Sequence, residues 1–213
     1  RYGKGTHIRN LLEGIREGEK VVSILPLDRE LIQNPEVHYI IFATSQGRIK
    51  RSHLSDYVKI NRNGKYALKF AKDSDSLVQV RPATEEDHVV LVSSMGYACR
   101  FLPSEAKTRV DAATGESVTT HTVRVQGRVS QGVAGMKLQS GDRVVGMIVT
   151  DDFDTSVLTI SKHGMAKRSR LGSGSMVEIK LEDGTIAQGD DGGPLMERDG
   201  YRKTNRGTKG VRT

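Results

Sequence analysis

Positively charged side chains recur at one fixed place in the sequence. In three separate stretches an arginine follows a glycine by four residues, and these arginines are Arg51, Arg100 and Arg168. Further cations accompany them at Arg48, Lys50, Lys167 and Arg170. Duplex DNA carries one negative charge per ~1.7 Å of its axis, so it selects aligned rows of cations. The repeated spacing therefore favours a polyanionic partner, of which duplex DNA is one example.

The elements that must position these cations are β-hairpins. Each glycine, at Gly47, Gly96 and Gly164, is preceded by an apolar run and followed by a basic one. Glycine supplies the positive φ that a tight hairpin turn requires. Three copies of the pattern indicate a repeat protein.

Alternation along the basic strands places each arginine on the same face as an apolar residue two positions earlier, namely Ile49, Ala98 and Ala166. A charged side chain on an apolar face is costly. We therefore expect a bulge or a strand end at each arginine, so that its head reaches solvent.

A second landmark divides the chain into units. Basic loops that end in glycine occur at residues 1–5, 61–64, 128–132 and 206–210, and 32 residues separate Gly64 from Gly96 and Gly132 from Gly164. Each unit is predicted to contain four short strands. The repeats span about 5–57, 64–103 and 132–171, with surface insertions at 104–126 and 172–200. This pattern predicts an all-β, propeller-like domain of four-stranded blades, about three of them complete.

Composition narrows the possible partners. The 213 residues carry a formal charge of +7, which favours polyanions. Cys99 is the single cysteine, so no internal disulfide forms and a reducing compartment is expected. No apolar run is long enough to span a bilayer, and the chain, which begins without Met, is interpreted as part of a longer protein.

Catalytic and metal-binding alternatives have little support in the sequence. The six histidines and Cys99 lack metal-ligand spacing, and no phosphate-binding Gly-x-x-x-x-Gly-Lys-Ser/Thr loop is present. The stretch 189–195 is similar to the segment around a trypsin-like nucleophile, but Asp191 stands where the serine is required. No recognition helix or zinc finger is predicted, which argues against base readout. We predict no catalytic residue, metal or cofactor in this segment.

Several motifs resemble the C-terminal domain of the A subunit of bacterial DNA gyrase. The similar stretches are 132–138, 141–145, 164–168, and 54–57 with 61–64. The family's hallmark box is Gln-Arg-Arg-Gly-Gly-Lys-Gly, and residues 204–210 match it at Arg206, Gly207, Lys209 and Gly210. Residues 1–5 match it more loosely at Arg1, Gly3, Lys4 and Gly5. Neither copy is strict, and the better one lies at the end of the chain rather than in a first blade.

The resemblance implies a β-pinwheel, a propeller-like disc of blades whose basic rim wraps duplex DNA. The DNA contacts expected on this basis are Arg1, Lys4, Arg48, Lys50, Arg51, Arg100, Lys167, Arg168, Arg170, Arg206 and Lys209. It also implies an ATP-dependent type II topoisomerase as the parent enzyme in the bacterial cytoplasm. The other parts of that enzyme are the gyrase B subunit, together with the remainder of the gyrase A subunit, in an A2B2 assembly. Two alternatives are a protein-interaction propeller and the related C-terminal domain of the topoisomerase IV A subunit.

Overall fold

The computed structural model describes residues 3–7, 10, 15, 18–61, 64–110 and 115–213. Strands dominate this part of the chain, and its two helices are short. The elements, in chain order, are α1 (Arg29–Gln33), β1 (Tyr39–Thr44), β2 (Arg48–His53), α2 (Ser55–Val58), β3 (Leu77–Ala83), β4 (His88–Ser93), β5 (Tyr97–Phe101), β6 (Ala106–Val110), β7 (Ser117–His121), β8 (Val133–Ala134), β9 (Val144–Thr150), β10 (Ser156–Ile160), β11 (Ala166–Arg170), β12 (Met176–Glu178), β13 (Met196–Arg198) and β14 (Val211–Arg212).

Two antiparallel four-stranded sheets form the centre of the molecule. The first has the order β3-β1-β2-β8, and the second has the order β9-β4-β5-β14. The predicted hairpins β1–β2, β4–β5 and β10–β11 are all present, with positive φ at their turn glycines. Two of the expected blades are thus four-stranded, and the third is present as the hairpin β10–β11.

Strands are exchanged between successive repeat units. Strand β3 runs almost directly into β4, yet it pairs with β1 in the first sheet. Strand β9 similarly precedes β10 but pairs with β4. The sequence units therefore do not coincide with the blades, because each central hairpin takes its flanking strands from the chain that follows it.

In each complete blade an aspartate side chain caps the hairpin turn by accepting hydrogen bonds from it. Asp75 accepts hydrogen bonds from the Ser45 hydroxyl at 3.0 Å and from the Gln46 amide at 2.9 Å. Asp142 does the same for the Ser94 hydroxyl at 2.8 Å and the Met95 amide at 3.0 Å. Both aspartates lie just before the strand that flanks the hairpin, so the cap fixes that strand's register.

Apolar faces of neighbouring blades pack against each other. One core cluster joins Ile41 and Ile49 of the first sheet to Leu91 and Met147 of the second. Another joins Val90 and Ala98 of the second sheet to the third hairpin and the segment after it, with Val157, Leu171 and Tyr201. The outer face of the first sheet is covered by neighbouring segments of the chain, which include α1 and α2. Blade stacking therefore supplies the core.

The insertions are more ordered than the sequence suggested. Strands β6 and β7 pair within the first insertion, and β12 and β13 pair within the second. Val123 of the first insertion is fully buried in the core between the two sheets. Not every predicted strand of a unit forms: residues 66–70 are in no strand, and the stretch that opens the third unit contributes only the two-residue β8. Among the described helices, none is long and apolar enough to cross a membrane.

Candidate nucleic-acid interface

Two of the three repeated arginines are buried between blades. Arg51 and Arg100 are 2 % and 1 % exposed, and their strands pair without a bulge at either position. The prediction that a bulge frees them to reach solvent is therefore wrong. Strict alternation holds, and each arginine lies on the apolar face because the fold provides partners there.

Arg51 is held by an aromatic ring and a carboxylate. Its guanidinium lies 3.8 Å from the centroid of the Tyr39 ring, and Nη2 is 2.6 Å from Oε1 of Glu85. The Tyr39 hydroxyl donates to the same carboxylate oxygen. The Glu85 carboxylate and the Tyr39 ring balance the charge within the molecule through Nη2 and the guanidinium face, so Arg51 does not present it to DNA.

Arg100 binds backbone carbonyls instead of an acid. Its Nη1 donates to the carbonyl oxygens of Leu171 at 3.0 Å, Gly172 at 2.7 Å and Tyr201 at 2.8 Å. Its Nε donates to Nδ1 of His88 at 3.3 Å. Burial lowers the pKa of Arg100 from its ordinary value. Arg100 thus connects the second sheet to the third hairpin and the segment that follows it.

Lys50 is also buried, on the opposite face of its strand. It is 1 % exposed, and its Nζ donates to the carbonyl oxygens of Ala67 and Arg128, each at 2.6 Å. Burial is the main reason that the pKa of Lys50 falls to about 8. Its predicted position on a DNA-binding rim is incorrect, because the ammonium group connects loops inside the protein.

Two other predicted DNA contacts bind backbone carbonyls. Arg48 donates to the carbonyl oxygens of Gln131 at 2.8 Å and Gly132 at 2.7 Å. Arg206 donates to the carbonyl oxygens of Thr122 and Ala134, each at 2.6 Å. Both side chains are only partly exposed and hold the glycine-ended loops in place.

The loop at residues 204–210, called here the box-like loop, packs closely on the second sheet. Gly207 and Gly210 have positive φ, and a Cβ at Gly210 would lie 2.2 Å from the Ala98 carbonyl oxygen. Lys209 is exposed, with Nζ 4.3 Å from the centroid of the Tyr97 ring. A hydrogen bond from Lys209 is the largest cause of the lowered pKa of Tyr97. The glycines of the loop pack on the sheet, whereas the Lys209 side chain is exposed. Its ammonium group is therefore accessible to an anion in solution.

The third hairpin exposes its cations. Lys167, Arg168 and Arg170 are all exposed, although Nη2 of Arg170 is 2.6 Å from Oδ1 of Asp154. That hydrogen bond is the first cause of the raised pKa of Arg170. Lys4 is also exposed, whereas Arg1 lies outside the described residues.

Two adjoining clefts collect exposed cations near the box-like loop. The first, of about 620 Å³, lies between β11 and β14, and the second, of about 780 Å³, lies beside the box-like loop. Both are lined by Arg198 and Arg202. We call the combined surface the basic cleft, and its seven cations are Lys167, Arg170, Arg198, Arg202, Lys203, Lys209 and Arg212.

Few acidic groups neutralise this surface. Glu105 lies at its edge with Oε1 2.5 Å from Nζ of Lys203, and Arg170 is paired with Asp154 and, at 3.7 Å, with Asp199. Lys167, Arg202 and Arg212 take part in no ion pair among the described residues. A phosphate chain entering the cleft therefore meets cations whose charge is not already balanced.

Sequence reasoning identified Lys167, Arg170 and Lys209 but missed the other four cations of the cleft. Arg202 and Lys203 directly precede the box-like loop, and Arg212 follows it by two residues. Their proximity to that loop was the available signal. These residues neither recur in the hairpins nor match the family's box, so neither pattern singles them out.

Stacked sheets of antiparallel strands, joined by exchanged strands, define a β-propeller-like class of domain. Within that class, the chain belongs to the family described as DNA gyrase C-terminal domain, β-propeller, which matches residues 1–28, 38–84, 117–151, 155–173 and 196–213. The resemblance noted in the sequence and the predicted pinwheel fold are thereby confirmed.

Individual relatives agree with this assignment. The chain is 31 % identical over its full length to the DNA gyrase A subunit of Staphylococcus epidermidis, and 36 % identical over 69 % of its length to that of Rickettsia prowazekii. It spans 18 % of the first relative, and its match to the second spans 14 % of that protein.

Solved structures support the fold. A C-terminal domain of DNA topoisomerase IV matches 97 % of this chain and 65 % of its own, with TM-score 0.63 and 21 % identity. A DNA gyrase A C-terminal domain matches 98 % of this chain and 70 % of its own, with TM-score 0.54 and 18 % identity.

Proposed function

We propose that this chain is a DNA-binding and DNA-bending module of a gyrase A subunit. The observation that carries the proposal is the basic cleft, where seven cations border two adjoining concavities and five of them lack ion-pair partners in the described chain. The relatives, which are DNA gyrase A subunits, give the family context.

The recognition is of the phosphate backbone rather than of base edges. The two described helices contain five and four residues, too short to read a major groove as a recognition helix does. Arginine binds phosphate through paired N–H groups, and four of the seven cations of the cleft are arginines. Such contacts do not depend on sequence, so binding is non-specific.

The available contacts are sufficient to bend DNA. Bending a site of 20–30 bp smoothly by 40–90° costs on the order of 1–6 kcal/mol. A hydrogen bond to a charged group contributes roughly 1.5–3 kcal/mol. A few phosphate contacts in the basic cleft therefore offset the bend, and the duplex can follow the surface of the domain.

The relatives support a proposal for the wider role. We assign the parent enzyme to ATP-dependent DNA supercoiling in the bacterial cytoplasm, where the module works with the B subunit as well as the rest of the A subunit. In this assignment the module binds and wraps DNA, and strand cleavage and ATP hydrolysis belong to other domains. The module itself uses no cofactor and contributes no catalytic residue.

Topoisomerase IV is the second candidate, because one of its C-terminal domains gives a TM-score of 0.63 against 0.54 for the gyrase domain. The parent enzyme separates the two assignments. Supercoiling of relaxed plasmid with ATP supports gyrase, and relaxation or decatenation without supercoiling supports topoisomerase IV.

Equilibrium binding to duplexes of several unrelated sequences tests the proposed function. Affinity should be nearly equal for all of them, and log K should fall linearly with log salt at about −0.9 per phosphate contacted. A nuclease footprint then distinguishes wrapping from simple binding by its length and periodicity. An affinity that does not change with salt concentration would contradict the proposal.

A further inference from the structure

The hairpin of strands β6 and β7, in the first insertion, projects from the stacked blades. In the described chain the two strands pair with each other and with no further strand. Every residue of both strands is exposed except Lys107, which is partly buried. A two-stranded ribbon is only marginally stable in water by itself, so we expect this one to have a partner.

The base of the β6–β7 hairpin is fixed beside the box-like loop. The Thr122 amide donates to the Glu105 carbonyl oxygen at 2.9 Å, and the next residue, Val123, is fully buried in the core. Arg206 of the box-like loop donates to the Thr122 carbonyl oxygen at 2.6 Å. The hairpin therefore leaves the core at a defined place, next to the second concavity of the basic cleft.

One face of the hairpin continues the wall of that concavity. Glu105 lines the concavity, and alternation along the strand puts Lys107 and Arg109 on the same side as Glu105. Nζ of Lys107 donates to Oδ1 of Asn205, in the box-like loop, at 3.1 Å. This inner face, as we call it, consists of Lys107 and Arg109 with their cross-strand partners Thr120 and Val118.

The two faces of the hairpin differ in charge. The inner face carries two cations, whereas the outer face carries Ala106, Thr108, Val110, Ser117, Thr119 and His121. Arg109 is exposed and takes part in no ion pair among the described residues. Lys107 and Arg109 are about 6.8 Å apart along β6, a distance over which one DNA strand advances by about two phosphates. The inner face is therefore suited to a phosphate backbone, to which the Thr120 hydroxyl can also donate.

We propose that the inner face of the β6–β7 hairpin is a second DNA-binding wall, which contacts the backbone of a duplex held in the basic cleft. This inference rests on the proposed function, because the occupant is the same duplex. Continuity of the inner face with the second concavity identifies that occupant. Strand β6 lies outside the residues that match the family, so Lys107 and Arg109 add contacts particular to this chain.

Two variants at adjacent residues of β7 test which face binds. Thr120→Glu places a carboxylate on the inner face, opposite Lys107, and Thr119→Glu places one on the outer face. Both residues are exposed, so both variants should melt like the parent. In the full 213-residue chain at physiological ionic strength, charges are screened beyond about 8 Å. Thr120→Glu should then weaken binding of a fluorescent duplex by about tenfold, and Thr119→Glu should bind within about twofold of the parent.

Arg109 allows a second and independent measurement. Arg109→Ala should weaken binding and reduce the salt slope by about 0.9 for the phosphate that is lost, whereas Arg109→Lys keeps the charge and should keep the slope. Hydrogen exchange of the parent should slow over residues 106–110 and 117–121 when DNA is added, because the duplex restrains the hairpin.

The outcomes separate this proposal from the proposed function. If loss of the cleft cations Lys167, Arg202 and Arg212 weakens binding while Thr120→Glu and Arg109→Ala bind like the parent, the second wall is overturned and the proposed function stands. Equal weakening by the two glutamate variants also overturns the second wall, because binding would then not depend on the face. A parent chain without salt-dependent DNA binding overturns both.

Discussion

Arg100 donates a hydrogen bond from Nη1 to the carbonyl oxygen of Tyr201 at 2.8 Å, and this contact ties the second sheet to the segment that leads into the box-like loop. The same nitrogen also serves Leu171 and Gly172. One buried guanidinium therefore positions the segment from which Arg202 reaches the basic cleft.

Replacing Arg100 should destabilise the protein severely. Arg100→Leu leaves the buried carbonyls of Gly172 and Tyr201 without their donor, whereas the Leu171 carbonyl keeps the Tyr201 amide. Each unsatisfied group costs roughly 1–3 kcal/mol. We expect the free energy of unfolding, measured in urea, to fall by at least about 2 kcal/mol. Arg168→Leu is the control at the equivalent exposed position, where a surface change stays within about 0.5 kcal/mol. Equal losses in the two variants would show that Arg100 has no special structural role.

His88 should make stability depend on pH below neutrality. Burial, followed by the charge of Arg100, lowers the pKa of His88 to about 4, below its ordinary value of 6.5. The unfolded chain therefore binds the proton more readily than the folded one, and stability is lost as pH falls from 6.5 towards 4. His88→Asn keeps an acceptor for Arg100 and removes the titration, so its stability should fall less over that range. If the free energy of unfolding fell equally with pH in the two proteins between pH 6.5 and 4, this prediction would be contradicted.

Gly210 should not tolerate a side chain. Its φ is +84°, and a Cβ there would lie 2.2 Å from the Ala98 carbonyl oxygen. Gly210→Ala combines backbone strain with overpacking, each on the order of 1–3 kcal/mol. Gly184 has the same φ in an open turn, so Gly184→Ala isolates the backbone contribution. Thermal unfolding should show the larger loss at Gly210; a similar loss in both would mean that the loop relaxes away from the sheet.

The second insertion should be dispensable only in part. Replacing residues 179–195 with a short turn should leave the melting temperature nearly unchanged, because closing a loop of different length costs little free energy. Removing all of 172–200 should lower it, because Arg100 loses its Gly172 acceptor. Calorimetry of both deletions checks this. An intact melting temperature after the longer deletion would refute the structural role of residue 172.

The hairpins could be predicted from sequence because their signals are local. A turn glycine and an apolar strand lie within a few residues of each other, as at Gly47 and Gly96, and positive φ at both confirms the reading. Blade boundaries could not be predicted in this way. They depend on the pairing of β3 with β1 and of β9 with β4, each a strand of an earlier sequence unit. The order of the repeats along the chain does not reveal this pairing.

Burial of the repeated cations was missed for a related reason. The alternation of β2 placed Arg51 on an apolar face, but its partner Glu85 lies 34 residues away. Arg100 finds its acceptors 71 to 101 residues away. An alanine change at Lys50 and Arg51, meant to remove DNA contacts, would therefore remove buried structural groups.

The central claim is that DNA binds the basic cleft, and salt-dependent binding of one matched pair of variants tests it most directly. The first variant is Lys167→Ala with Arg202→Ala and Arg212→Ala, which removes three of the five cleft cations without ion-pair partners in the described chain. The second is Lys20→Ala with Lys69→Ala and Lys72→Ala, three exposed lysines before β3.

Both variants carry the same change of charge, and exposed charges contribute little to folding, so both should melt like the parent. The cleft variant should bind every duplex more weakly, with a salt slope smaller by about 0.9 for each phosphate that it no longer binds. The control should bind nearly as the parent does. Equal binding by the two variants would contradict the assignment of the basic cleft as the DNA-binding surface.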